Sequence, residues 1–587
     1  MPRLVFRLFA LSCLLIPIGL MTASCSGSSS GSPEATSSDS TGTARSAKFP
    51  SASPGPYPDR IVLSWSDDPS SSLSVSWRTD STVTQAQAQI APALGGPSFY
   101  TKSRTVKAQT ENLHTHKVPS ESVNANYHSV TFEGLAADSL YAYRVGDGTH
   151  WSEWIHARTA SSQPKPFSFA YLGDAQDNVR SHWSRVIRQA YSEAPELDFM
   201  IHAGDLVNNA HRNVEWGQWN EGGGWIQKMV PNLPVPGNHE YMGYRTNLVQ
   251  DTFLVRATAS RSKLKGSLAL PNEYSVALSA TRSSSTETGG LVGEWRYSIS
   301  GRNGMLQIQK EGPTGYSATM DDPLSEDEYS LQNVSVTGDT LTGEFLAEFE
   351  KQSPRNLSIH WHPQFTLPRN GPQGMKETVY YLDYQGIRVI GLNSNIRDSI
   401  RLARQTEWLE ATLKEARQRE NIRWTVATFH HPMFSSVEGR NDERLREKWT
   451  PIFDEYRVDL VLQGHDHTYA RGQLRNMRQG VNARSPNGGT VYVNSVSGAK
   501  MYEIKSDQWE DFRGITMQRS AENTQLYQVV RVQTDTMKYR SYTATGELYD
   551  AFDLVRPGDG GPSRMIQRPP ANSLERTHEN TIEYAKP

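Results

Sequence analysis

A chain of 587 residues, 36% hydrophobic and 21% charged with 14 Trp and 25 Tyr, has room for roughly three or four domains and is neither disordered, collagen-like nor a polytopic membrane protein. Its formal charge of −3 gives no bulk electrostatic reason to bind nucleic acid, and two cysteines exclude a disulfide scaffold or a cysteine-rich metal site. Sixteen histidines remain as candidate metal ligands.

In chain order, residues 1–24 read as an export signal: Arg3 and Arg7, an apolar run from Leu8 to Met21 broken by Pro17, then Thr22, Ala23 and Ser24 before Cys25. This resembles a bacterial lipobox, with Thr22 where an aliphatic residue is usual. The resemblance implies lipidation at Cys25, a membrane anchor and an envelope location, on the periplasmic side of the outer membrane or at the cell surface. Plain secretion with cleavage nearby is the alternative. Residues 25–55, dominated by Ser, Gly, Thr and Ala, cannot bury enough apolar surface to offset their ordering entropy, and read as a flexible tether.

Residues 56–160 alternate apolar and polar positions in RIVLSW, SLSVSW, YHSVTF and LYAYRV, separated by turn-forming stretches, which predicts an all-β sandwich with Trp77 and Tyr143 in its core. The chemistry begins in 165–555. FSFAYL leads into Gly173-Asp174-Ala175-Gln176, LDFMIHA into Gly204-Asp205, LPVP into Gly237-Asn238-His239-Glu240, RWTVATF into His430-His431-Pro432, and VDLVLQ into Gly464-His465-Asp466-His467. Each time a buried-strand run stops and metal-type ligands follow, as in α/β folds that place functional groups at the carboxyl ends of strands. Carboxylate, amide and imidazole donors suit hard or borderline ions. Residues 255–350 carry alternating β patterns with Gly and Asn/Asp turns, which predicts a β-rich insertion, either a substrate gate or a decorative or partner-binding module. Leu402, Thr406, Leu409, Leu413 and Ala416 predict a helix over 402–416 packed on a sheet. Residues 556–587 are polar with Pro and Gly and read as a flexible tail.

Taken together, the five loops (GD, GD, GNHE, H-x-P and GHxH) resemble the signature of the calcineurin-like metallophosphoesterase superfamily. With the fibronectin type III-like front module, the chain is similar to bacterial purple acid phosphatase-like proteins. The resemblance implies an α/β (α+β-like four-layer) sandwich of two β-sheets flanked by helices. It implies Asp205 as a carboxylate bridging two ions, Asp174 and His467 completing one site, and Asn238, His430 and His465 the other. The cofactor implied is a pair of divalent ions or an Fe-containing mixed-valence pair, with Fe, Mn and Zn not distinguished. A water held between such ions loses a proton near neutral pH and attacks phosphorus. His239 is the implied transition-state stabiliser or general acid, and His211 a further substrate-side candidate. Glu240 is expected to orient a neighbouring histidine, His431 to stand outside the ligands, and His202 to be structural. Arg440 and Arg471 are candidates for phosphate contacts or salt bridges. The chain departs from the purple enzymes at Asn208, where GDxxY places a tyrosinate. Gln176 likewise stands where many relatives have histidine. Gln176, Asn208 or water is left to complete the first site, and no phenolate remains to colour the protein. The implied partner is a phosphoester substrate. The implied activity is hydrolysis of phosphomonoesters, with a phosphodiesterase on nucleotides or phospholipid head groups, or a catalytically silent binding lipoprotein, as alternatives.

Overall fold

The computed structural model describes residues 53–115, 123–241, 245–260, 262–269, 275–284, 290–299, 302–321, 328–352, 356–474, 489–505, 509, 515–558, 561, 563–571 and 573–578. Residues 1–24, read as an export signal, Cys25 and all but the last residues of the expected tether lie outside the described residues. The described chain falls into two compact units, one drawn from 46–242 and 355–587, the other from 243–354.

The first unit begins with two antiparallel four-stranded sheets. One orders Asp59–Ser64, Leu73–Asp80, Val123–Phe132 and Gln109–Thr115; the other orders Arg104–Lys107, Gln87–Pro92, Leu140–Gly146 and Ile155–Arg158. Trp77 and Tyr143 are fully buried in this sandwich. The polar face of Leu73–Asp80 is buried as well, because it docks on the following domain. The Ser76 hydroxyl meets that of Thr366 at 2.7 Å, and Arg60 donates to Asn213 Oδ1 at 2.8 Å. Trp65 carries the contact into the next core, 6.0 Å from Phe199 and 5.3 Å from Tyr384 between ring centroids. The front module is thus fused to its neighbour by shared packing.

Two seven-stranded sheets follow. The first runs Asn232–Pro234, Phe199–His202, Phe167–Leu172, Leu526–Val532, Thr536–Thr543, Leu548–Val555, Arg564–Gln567, with its first three strands parallel. The second runs Tyr380–Tyr384, Ile387–Gly391, Trp424–Thr428, Leu460–Gln463, Val491–Asn494, Tyr469–Leu474, Ile515–Ala521, with Ile387, Trp424, Leu460 and Val491 opening four parallel strands. Alternation along each strand builds the layers. Val389, Val426 and Leu462 face the inter-sheet core with Tyr171 and Val529, whereas Ile390, Ala427 and Val461 face Leu409, Leu413, Trp449 and Phe453 of the outer helices Ser399–Gln418 and Glu443–Glu455. Ser184–Glu193 covers the first sheet with Val186, Ile187 and Ala190. The result is the four-layer sandwich that the family resemblance implies.

Two expectations are corrected. On the Ser399–Gln418 helix the fully buried neighbour of Leu402 is Gln405, while Thr406 is half-buried. Gln405 is inside because its amide satisfies both backbone groups of Asn393, accepting at 2.8 Å and donating at 3.1 Å. The tail expected over 556–587 is structured in its described part. Arg564–Gln567 pairs with Leu548–Val555, and the buried Arg556 forms an ion pair with Asp459 at 2.6 Å that Ser563 joins at 2.7 Å.

The second unit is a nine-stranded antiparallel sheet between Arg245 and Gln352, starting ten residues ahead of the 255 read from the pattern. Its two end strands, Glu328–Ser330 and Gln332–Thr337, are separated in the chain by Leu331 alone, whose N–H donates to Ala318 O at 2.8 Å. The sheet therefore curls until its ends meet, in a barrel-like form. Val255, Ala257, Leu306, Ile308, Ala318 and Met320 fill the inside.

Candidate metal centre

All five ligand loops leave the carboxyl ends of strands in the two central sheets. Four of their non-glycine residues hold left-handed backbone: Asp174 (φ 41°), Asp205 (φ 51°), His465 (φ 76°) and His467 (φ 52°). Asp and His tolerate this region better than most residues, and its clustering at one point marks a site held by its surroundings. Gly237 is required for a different reason. A Cβ there would lie 2.1 Å from Asp205 Oδ1.

The loops bring two ligand groups together. Asp174, Asp205 and His467 form one, Asp205, His430 and His465 the other, and within each the donor atoms lie within 4.8 Å of one another. Asp205 belongs to both. Asn238 Oδ1 is 3.0 Å from His430 Nε2, which is itself 3.1 Å from Asp205 Oδ2. The imidazoles are aimed by their other nitrogens. His430 Nδ1 donates to Ala203 O and His467 Nδ1 to Lys500 O, each at 3.0 Å, leaving both Nε2 atoms for the centre. The His465 N–H donates to both Asp174 oxygens at 3.0 and 2.8 Å. Gln176 Nε2 lies 2.8 Å from Asp205 Oδ2 and 3.1 Å from His467 Nε2, while its Oε1 is buried with no hydrogen-bond partner among the described residues. An orphaned oxygen amid carboxylates and imidazoles fits a cation. The two donor groups share Asp205 and have the chemistry of a cation site.

Electrostatics lead to the same conclusion. Burial, reinforced by the Asp205 charge, pushes the Asp174 carboxyl well above its ordinary range. Burial also opposes ionisation of Asp205, but the His430 and His239 imidazoles outweigh it and hold that carboxyl low. His430, which burial would depress, is lifted to about 9 by Asp205 and Asp174. Burial takes His467 down to about 3. Without cations, the pocket must therefore retain protons on Asp174 and His430. Cations replace them. Metal loading of stripped protein is expected to release protons at pH 7 and to weaken as pH falls from about 9 to 6, because His430 and Asp174 must deprotonate to bind. Calorimetric titration in buffers of different ionisation enthalpy counts those protons, and a release of none would contradict the assignment.

The other candidates sort clearly. His239 donates from Nδ1 to Asn208 O and places Nε2 3.8 Å from Asp205 Oδ2, with its side chain 15% exposed. It faces the centre from the open side. Asn208 contributes that backbone carbonyl; its side chain makes no hydrogen bond to a ligand residue among the described residues. His211 joins neither ligand group. Glu215 holds the preceding turn through Asn209 N–H at 2.7 Å, and Asn213 is anchored on Arg60, so this stretch is drawn toward the front module, where His211 adjoins the buried His360. Glu240, expected to orient a histidine, instead accepts from the backbone N–H groups of Asp205, Leu206 and Gly237 at 2.9, 3.0 and 2.7 Å. His202 is structural, bonded to Asn232 Oδ1 at 2.9 Å. His431 stands outside the ligands on Ser394 Oγ, at 2.8 Å. Arg471 does not meet the cleft: it forms a buried ion pair with Asp550 at 2.6 Å. Asp550→Ala is expected to cost about 3–5 kcal/mol in chemical denaturation, since it leaves that guanidinium buried without its partner.

Sequence reasoning missed a sixth loop, Asn393 to Arg397 after the Ile387–Gly391 strand. Asn393 Nδ2 donates to the Tyr241 hydroxyl at 2.6 Å and Asn395 Nδ2 to Pro236 O at 2.9 Å, fastening the GNHE loop. Its signal was available, a polar LNSNIRD run directly after a buried strand. A cleft of 1380 Å³ opens here, lined by Asn238, Asn395, Arg397, His431, Arg440 and His465 among others.

Comparison with known proteins agrees with this geometry. Residues 58–159 match the family model for the purple acid phosphatase N-terminal domain, and residues 345–469 that for calcineurin-like phosphoesterases. The second match includes His430, His465 and His467, whereas Asp174, Asp205 and Asn238 precede it and are joined to it by the fold. An uncharacterized protein of Mycobacterium tuberculosis is 26% identical over 446 residues, 73% of this chain and 64% of that relative, so the match spans just under two thirds of its length. Purple acid phosphatase 15 of Arabidopsis thaliana is 31% identical over 24% of this chain and 26% of its own. The solved purple acid phosphatase from yellow lupin (Lupinus luteus) seeds superposes with a TM-score of 0.54 at 15% identity, covering 86% of this chain and 75% of that one, which shows a shared fold.

Proposed function

Because the chain joins a purple acid phosphatase N-terminal domain to a calcineurin-like phosphoesterase domain, we propose that it is a two-metal phosphoester hydrolase acting chiefly on monoesters. The observation that carries this is the sharing of Asp205 by two ligand groups. Divalent ions held by Asp174, Asp205, His467 and Gln176 on one side and Asp205, Asn238, His430 and His465 on the other would supply an activated water and neutralise phosphate oxygens. Fe, Mn and Zn all suit these donors. The protein's own part is orientation and proton transfer. His239, fixed through Nδ1, presents Nε2 beside the bridging carboxylate, where its protonated form donates to the departing alcohol oxygen or to a phosphoryl oxygen. Lys500 and Ala203 keep two ligand imidazoles in one tautomer.

The test pairs metal analysis with hydrolysis of p-nitrophenyl phosphate and bis-p-nitrophenyl phosphate. Faster turnover of the monoester is expected. Faster turnover of the diester would make the protein a phosphodiesterase, and metal-loaded protein inert on both would make it a binding protein. We further propose an envelope lipoprotein, on the pattern of residues 1–24 and Cys25. Cys25→Ser should then move the protein from the membrane fraction to the soluble one.

A further inference from the structure

The main chain of His239 is fixed at both ends: its N–H donates to Asp205 Oδ1 at 2.8 Å and its carbonyl accepts from Ala210 N–H at 3.4 Å. The direction of its ring is set by Nδ1, which donates to the carbonyl of Asn208. That carbonyl belongs to the Asn208–Asn209 peptide unit. The N–H on the other side of the same unit donates to Glu215 Oε2 at 2.7 Å. In a planar trans peptide the N–H and the C=O point in opposite directions. A buried carboxylate that grips the N–H therefore decides where the carbonyl points, and here it points at His239. The carboxylate also polarises the amide, so its oxygen accepts more strongly. Glu215 and His239 are thus joined through one peptide, much as a carboxylate orients an imidazole by direct contact elsewhere.

Glu215 is itself held. Its Oε1 accepts from Arg212 Nη1 at 2.9 Å, and it stands in the first turn of the Asn213–Gly223 helix. The first residue of that helix is clamped by Arg60 of the front module, which donates to Asn213 Oδ1 at 2.8 Å and to Asn213 O at 2.9 Å. Trp216, one position after Glu215, donates Nε1–H to Ala210 O at 2.8 Å, where the Ser358 hydroxyl also donates at 2.6 Å. The helix start and the turn at 208–210 are therefore tied together from both sides. The ligand end of the same loop has a different brace, since the N–H groups of Asp205 and Leu206 go to Glu240. One carboxylate supports the metal ligand and another supports the histidine.

We propose that Glu215 is a positioning residue for His239, acting through the Asn208–Asn209 peptide, and that Arg60 makes the front module part of that support. The proposal rests on the two-metal hydrolase reading, in which His239 meets the substrate. It gives the front module a share in turnover without a residue of its own in the cleft.

The experiment is a double-mutant cycle on the metal-loaded full chain with phenyl phosphate as substrate. Glu215→Ala should lower kcat about thirtyfold, with KM within about twofold and bound metal unchanged. Glu215→Gln, whose carbonyl still accepts the Asn209 N–H, should recover part of the loss. His239→Ala should lower kcat about a hundredfold. Adding Glu215→Ala to His239→Ala should cost no more than about twofold further, because the effect of Glu215 is exercised through that ring. Arg60→Gln should behave as a weaker Glu215→Ala in the same cycle, and it carries the test if neither Glu215 variant folds. The proposal is overturned if Glu215→Ala leaves kcat unchanged, if its effect multiplies in full with that of His239→Ala, or if it acts by loss of metal. Were no phosphoester hydrolysed, the hydrolase reading alone would fall. Nitrogen-15 NMR of histidine-labelled protein would then decide the positioning, with the His239 resonances identified by their loss in His239→Ala. A neutral Nδ1–H tautomer in the unsubstituted protein that becomes mixed in Glu215→Gln supports it, and an Nε2–H tautomer, or one indifferent to Glu215→Gln, overturns it.

Discussion

Asp205→Asn is expected to lower metal-dependent phosphoester hydrolysis by at least about a thousandfold and to reduce bound metal from two ions to one at most. The substitution is nearly isosteric and keeps an oxygen for the His239 N–H, now bonded at 2.8 Å. It removes the one negative charge common to both ligand groups. Because that charge is buried, no solvent stands in for it, and four nearby imidazoles would face two cations with Asp174 as the sole carboxylate ligand. Metal analysis and single-turnover kinetics on the same preparation check this. Two retained ions with an unchanged rate would show that the centre lies elsewhere.

Glu240→Ala should be the most destabilising single change at the site without touching a ligand. The carboxylate is fully buried and accepts three backbone N–H groups, from Asp205, Leu206 and Gly237. Deletion leaves all three unsatisfied, at about 1–3 kcal/mol each, so a loss of about 3 kcal/mol or more is expected in urea denaturation of the metal-free protein. The same bonds lock the Asp205 loop to the Asn238 loop, so metal affinity should fall about 10–100-fold, as for other groups that hold ligands in place. Glu240→Gln should recover little, since its amide NH2 would confront N–H donors. An unchanged denaturation midpoint in Glu240→Ala would refute this account.

Both predictions concern residues of short loop motifs, yet they were not equally legible. Asp205 stood out as a ligand type after a strand and a glycine, and the family resemblance implied its bridging role. The bracing role of Glu240 was not legible, because two of its three partners are backbone groups of a loop more than thirty residues away. Arg440 and Arg471 looked alike as loop arginines near ligand motifs. Asp550, far along the chain, takes Arg471 into the core, while Arg440 meets no carboxylate among the described residues. The ordered part of the tail was misjudged for the same reason. Arg556 finds its partner in Asp459, at a separation that local pattern does not report.

What the sequence determined by itself was everything set by neighbours along the chain: buried-strand runs, the glycine turns that end them, the ligand types that follow, and the alternation that makes the front module and the 243–354 unit β-rich. Backbone geometry repeats over two to four residues, so such features are written locally. Tertiary structure alone decided which donors converge on Asp205, which glutamate braces them, and which arginine is drawn into the core by Asp550. Those outcomes depend on charge and hydrogen-bond partners meeting across sheets, where burial makes each pairing strong and the absence of one costly.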